Sequence, residues 1–188
     1  MINLVLFLTV CFASNPVDNW FEQNREVLSS NIKSASIHYE AKSQFYDQLN
    51  NTSSSIKIIF AENKKFRIAF ENRIIVSDGT TWKVYNILSN QLFIQNPDKK
   101  LEKLLFVWFK LKKIKTFSAK KINDKEYEIS FFETSNKARL FFNNIDDLQH
   151  VLIINDDLEI KISNIELKKE NSIDLTVGNK NTEIFDLR

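Results

Sequence analysis

Glycine is almost missing from this chain. Its 188 residues hold two, too few for a glycine-rich loop that cradles phosphates, so nucleotide chemistry has little to build on. Histidine is equally scarce, with His38 and His150 far apart and no triad or metal companion near either in sequence. The one cysteine, Cys11, stands in the first dozen residues, leaving the rest without a thiol or a disulfide. Charge is balanced, with 26 Lys and Arg against 24 Asp and Glu. A net charge of +2 creates no long-range field for nucleic acid or an anionic membrane. No cofactor and no nucleic-acid partner are expected. The carboxylates Glu126 and Glu128 share a strand face at about 7 Å spacing, but alternating charges are the ordinary solvated face of a strand, and no enzymatic site is read from them.

What the chain has is aromatic bulk. Sixteen Phe, three Trp and four Tyr, within an apolar fraction of 43%, are side chains that fill sheets and line greasy pockets. The length suits one domain with a sizeable core. At the start, Leu4–Phe12 is an apolar run too short to span a bilayer, and Ala13, Ser14 and then Asn15-Pro16 follow it, the layout of a secretory leader. Residues 1–14 are therefore read as a cleaved signal peptide and 15–188 as a single domain. Leu8-Thr9-Val10-Cys11 also has some likeness to a lipoprotein processing box, which leaves lipidation of Cys11 as an alternative.

Periodicity orders the rest. Pro16–Ile32 places Val17, Trp20, Phe21, Val27 and Leu28 on one helical stripe. From Ser36 the period becomes two, with Ile37, Tyr39 and Ala41 alternating with polar residues. Gln48–Ser55 reads as a polar loop or hairpin connection, and Ser55–Phe60 and Phe66–Phe70 as strands around the turn Glu62-Asn63-Lys64-Lys65. Ile74-Ile75-Val76 and Trp82-Lys83-Val84-Tyr85 flank Asp78-Gly79, a pair suited to a tight hairpin turn. Gln91–Gln95 is a further short strand, and Lys99–Lys113 repeats Leu101, Leu104, Leu105, Trp108 and Leu111 at helical spacing. Five more period-two segments follow, in 126–133, 138–143, 150–155, 158–168 and 172–177, and 183–187 is a last extended piece. The expected fold is mainly β with helices, an α+β domain of about ten antiparallel strands curved into a partial barrel with helices over an opening.

The hairpin Ile74–Asn86 with the later Gln91 resembles the signature hairpin of the LolA-type lipoprotein carriers. Lys65-Phe66-Arg67-Ile68 is similar to that family's Phe-Arg-Trp strand, and Leu158–Val177 followed by Thr182-Glu183-Ile184-Phe185 is similar to its closing pattern. The likeness spans about Trp20 to Leu187. It departs at Glu62 and Asn63, where the family has Arg-Pro, so the role of that arginine in opening and closing the lid does not carry over, and at Ile68, where the family has Trp. Trp82 and Lys83 stand where it more often has Leu and Trp, a one-residue shift that moves the aromatic to the opposite strand face, so the resemblance does not assign Trp82 to a cavity.

The resemblance implies an incomplete antiparallel barrel with an apolar concave face and an α-helical lid. It implies a non-enzymatic, monomeric periplasmic carrier that takes acylated lipoproteins from an inner-membrane ABC release transporter towards an outer-membrane acceptor. On that basis Tyr39, Ile58, Phe66, Ile68, Phe70, Phe93 and Phe131 are candidates to line the cavity, and Leu105, Phe106, Trp108 and Phe109 to form the lid. Each has a plain alternative: Phe66, Ile68 and Phe70 on one strand face, and Tyr127, Ile129 and Phe131 on another, serve equally as packing beneath a helix. Phe106 and Phe109 make the helix that bears them apolar nearly all round, which requires cover on both sides or a lipid. A membrane-anchored acceptor of the same fold, lipidated at Cys11, and a lipid-sensing regulatory module are the alternative functions.

Overall fold

The computed structural model describes residues 15–45, 48–99, 102, 117–131, 137–144, 147–155 and 158–188. The leader expected over 1–14 and most of the helix expected over 99–113 lie outside them. Two helices open the chain, α1 (Pro16–Gln23) and α2 (Arg25–Ser29), and twelve strands follow: β1 (Lys33–Phe45), β2 (Gln48–Phe60), β3 (Lys65–Ala69), β4 (Arg73–Asp78), β5 (Trp82–Asn86), β6 (Gln91–Gln95), β7 (Phe117–Lys121), β8 (Glu126–Phe131), β9 (Lys137–Phe142), β10 (Leu148–Asn155), β11 (Leu158–Lys169) and β12 (Glu183–Asp186). They form one sheet in the order β12-β6-β5-β4-β3-β2-β1-β11-β10-β9-β8-β7. Neighbours run antiparallel except β12, which lies parallel to β6. The end strands β12 and β7 do not pair, so the sheet is an open, incomplete barrel rather than a closed one.

The single helix expected over Pro16–Ile32 is two. Asn15 caps the first, its side chain accepting from Val17 N at 3.0 Å with Pro16 at the first helical position. Asn24 interrupts it, its amide donating to Trp20 O at 2.9 Å, a local bond that competes with helix continuation. Gln48–Ser55, expected as a loop, is the first half of β2. Asn50, Asn51 and Thr52 are poor strand formers, but they pair with Ser43, Lys42 and Ala41 along a ladder that runs the length of β1, and pairing outweighs propensity. The expected strand 172–177 is instead an extended arm without a strand partner, and β7 is a strand that the period-two reading does not contain.

The long central strands carry the curvature. On the β1–β11 ladder the register passes from Ser36↔Glu166 to His38↔Ser163, leaving an extra residue on β11, where Asn164 takes φ 51°. Such a bulge bends the strand and increases its twist. Beyond β11 the arm crosses the sheet face opposite the helices. Arg67 Nη1 donates to the carbonyls of Asp174 (3.2 Å) and Thr176 (3.0 Å), and Val76 and Leu92 are buried on that face. Asn90 secures the far end, accepting from Thr182 Oγ1 (2.9 Å) and Tyr85 OH (2.9 Å) and donating to Asn181 O (3.0 Å).

The hairpin expected around Asp78-Gly79 is present as β4 and β5, with Gly79 at φ 101°. Asp78 closes it by accepting from Thr80 N and Oγ1 (both 2.8 Å) and from Thr81 N (2.9 Å). These bonds, the Thr80 backbone N–H foremost, hold its carboxyl below the usual carboxylate range. Gly79 has a second duty: a Cβ there would lie 2.3 Å from Asn63 O in the neighbouring turn. Gly79→Ala should therefore destabilise the fold by about 2 kcal/mol or more, strain and collision acting together. Urea unfolding checks this, and an unchanged midpoint would show that the two turns do not touch.

Candidate functional site: an apolar face that helices cover in part

Because side chains alternate across a pleated strand, the registers assign every paired position to a face. One face carries most of the buried apolar side chains and bears the helices. Its central row runs Ala35 (β1), Ile58 (β2), Ile68 (β3), Ile75 (β4), Val84 (β5), Phe93 (β6) and Phe185 (β12). The adjoining row runs Lys33, Phe60, Phe66, Ser77, Trp82 and Gln95 through the same strands as far as β6. On the other side of β1 the same face continues with Ile162, Val151, Leu140 and Tyr127, and with Ile160, Ile153, Ala138 and Ile129.

The two halves are packed differently. Over β8–β10, Val17, Phe21 and Leu28 of α1 and α2 are buried against Tyr127, Ile129, Leu140, Phe142, Val151 and Ile153, with Trp20 at the margin. This half is a filled core. A second cluster, Ile58, Phe60, Phe66, Ile68 and Trp82, lies over β2–β5, with Ile37, Ile56, Phe70 and Ile75 half-buried beside it. No residue of α1 or α2 belongs to that cluster. Val84 and Phe93 are likewise half-buried, and Phe93 stacks on Phe185 at 5.1 Å between ring centroids. Arg73, Asn86, Gln91 and Glu183 form the next row and give the apolar area a polar margin. At the border between the halves, buried Lys33 donates through Nζ to Leu28 O, tying the end of α2 to the first residue of β1.

Six of the seven cavity candidates, Tyr39, Ile58, Phe66, Ile68, Phe70 and Phe93, share this face. The side chain of Phe131 and the lid candidates Leu105, Phe106, Trp108 and Phe109 lie outside the described residues. Tyr39 stands apart from the second cluster, two positions along β1 from Ile37 and opposite Ser54. Sequence reasoning passed over Ile37, Ile56, Ile75 and Val84, although a period-two count carried across each hairpin places them beside Ile58 and Ile68. Trp82 also belongs here: it pairs with Ser77, whose small side chain lets the indole reach Phe66 edge-on at 5.3 Å. Lys83 takes the opposite face, so the one-residue shift of the aromatic leaves a tryptophan on the helix-bearing side.

Among the described residues, no cluster of His, Cys, Asp or Glu is placed to hold a metal ion, and no described helix is long and apolar enough to cross a membrane. No protein-family model and no curated protein matches the sequence. Solved structures to which the chain is similar include an uncharacterised conserved protein from Thermus thermophilus, 11% identical over 92% of this chain and 99% of that one, with a TM-score of 0.47. They also include a LolA superfamily protein from Nitrosomonas europaea, 8% identical over 87% of this chain and 99% of that one, TM-score 0.44. A third is a putative outer-membrane lipoprotein-sorting domain from Vibrio parahaemolyticus, 7% identical over 85% of this chain and 95% of that one, TM-score 0.37.

The two phenylalanines of one strand line should separate core from surface. Phe66 is fully enclosed at 0% exposure while Phe70 is half-buried, so Phe66→Ala should cost about 3–5 kcal/mol and Phe70→Ala clearly less. Equal losses in urea unfolding would mean that Phe70 is core as well.

Proposed function

We propose that the protein is a non-catalytic carrier that shelters the acyl chains of lipoproteins on the β2–β6 half of its helix-bearing face. The observation that supports this is the difference between the halves: one has α1 and α2 packed into it, while the other leaves Ile37, Ile56, Phe70, Ile75, Val84 and Phe93 half-buried side by side. An apolar area of this kind, bounded by polar residues, marks a binding surface. The need it meets is large. Each methylene kept from water is worth about 0.8 kcal/mol, so one exposed sixteen-carbon chain costs roughly 12 kcal/mol. A carrier must also release its load, and half-buried side chains on an open sheet hold an acyl chain less tightly than a closed, dry core.

The hairpin Ile74–Asn86, the strand around Phe66 and the closing pattern through Phe185 support the same reading through their resemblance to the LolA-type carriers. On this reading the chain is exported by its leader and works in the periplasm. It receives acylated lipoproteins from an inner-membrane ABC release transporter and passes them to an outer-membrane acceptor.

The purified protein should bind a fluorescent fatty-acid probe, and an acylated lipopeptide should displace it. Phe70→Glu places a carboxylate among Ile56, Ile68 and Ile75 and should weaken probe binding at least about tenfold, because burying the charge is unfavourable. Circular dichroism must show that this variant folds. No binding of any acyl ligand by the unaltered protein would end the carrier reading, and a folded Phe70→Glu protein with undiminished binding would move the site elsewhere.

A further inference from the structure

Two buried side-chain polar atoms among the described residues have no hydrogen-bond partner, and they are a donor and an acceptor: Trp82 Nε1 and Glu102 Oε1. Trp82 is 2% exposed and Glu102 8%. A buried N–H or carboxylate oxygen without a partner bears its full desolvation penalty, which native structures seldom leave unmet without a ligand or another functional reason. Phenylalanine would have filled the Trp82 position with no such penalty.

Both residues stand at the same end of the apolar face. Trp82 begins β5 directly after the β4–β5 turn. That turn abuts the β2–β3 turn so closely that Gly79 has no room for a Cβ beside Asn63 O. Glu102 is held to the β2–β3 turn by Lys64, Nζ to Oε2 at 2.7 Å. The turn is itself strained. Asn63 and Lys64 both have positive φ, 58° and 60°, the conformation of a two-residue hairpin loop whose second position favours glycine. A lysine there is disfavoured, yet it is this lysine that bonds the carboxylate.

We propose that Trp82 and Glu102 form a polar subsite for the head of an amide-linked acyl chain. The indole N–H donates to the amide carbonyl, Glu102 Oε1 accepts from the amide N–H, and the tail lies along Ile58, Ile68 and Ile75. This rests on the acyl-carrier reading and adds to it the chemistry of the linkage. Trp82 Nε1 is an unmet donor and Glu102 Oε1 an unmet acceptor, and an amide, which has both an acceptor and a donor, is the linkage that can satisfy the two together. An ester offers the acceptor alone, and a hydrocarbon neither.

The test compares a fatty N-methylamide, the fatty methyl ester and the plain alkane, all of equal chain length, on the purified protein. Affinity should fall in that order, by about tenfold at each step. Trp82→Phe should lower amide and ester affinity and leave the alkane unchanged, whereas Glu102→Leu should abolish the preference of amide over ester. Independently of any loss of folding in the variants, the indole ¹⁵N–H resonance of Trp82 in the unaltered protein should move downfield with ester and amide but not with alkane. Equal binding of all three ligands, or an unmoved indole resonance, would overturn the subsite while leaving the acyl carrier standing. Failure of all three to bind would overturn both.

Discussion

A twelve-stranded sheet whose buried apolar residues fall mostly on one face creates a surface that must be kept from water, and the rest of this structure follows from how that is done. Closing the barrel would hide it completely, but β12 and β7 do not meet. Helices α1 and α2 are together thirteen residues long and bury Val17, Phe21 and Leu28 against the β8–β10 half. They are too short to serve the other half as well. The β2–β6 side is consequently where burial is graded, from Phe66 beneath to Phe70 and Phe93 at the margin.

The polar groups fix this arrangement from outside. Ser34 Oγ donates to Glu170 Oε1 at 2.7 Å, and Lys57 Nζ lies 3.0 Å from the same oxygen, where β11 gives way to the arm. Those partners, the serine first, hold the Glu170 carboxyl below its ordinary range. From there the arm is held by Arg67 and Asn90, and β12 adds a parallel strand beyond β6. The arm runs on the side away from the helices, where Val76 and Leu92 are buried, so the face with Ile58 and Ile68 is left to other uses.

Much of this was legible in the alternation of single residues. The strands around Tyr39, Ile58, Phe66 and Phe93 announce a half-buried sheet, and Asp78-Gly79 announces its hairpin. What was not legible depended on partners distant in sequence. Asn50-Asn51-Thr52 has loop composition, and only the length of β1 makes it a strand. Ile173, Leu175 and Val177 alternate like a strand, but their segment lies on a sheet face, where Arg67 takes the carbonyls of Asp174 and Thr176. Trp82 needed the β4–β5 register, and with it Ser77, before its face was known. The division into a covered and a less covered half could not be read at all, since it turns on the break at Asn24 and on where α1 and α2 settle.

That division can be tested directly with the isoleucine methyl groups of the two halves as reporters. A fatty acid carrying a nitroxide on its chain, titrated into methyl-labelled protein, is predicted to broaden Ile37, Ile56, Ile58, Ile68 and Ile75 and to leave Ile129, Ile153, Ile160 and Ile162 sharp. Uniform broadening, or broadening confined to the residues beneath α1 and α2, would contradict the account.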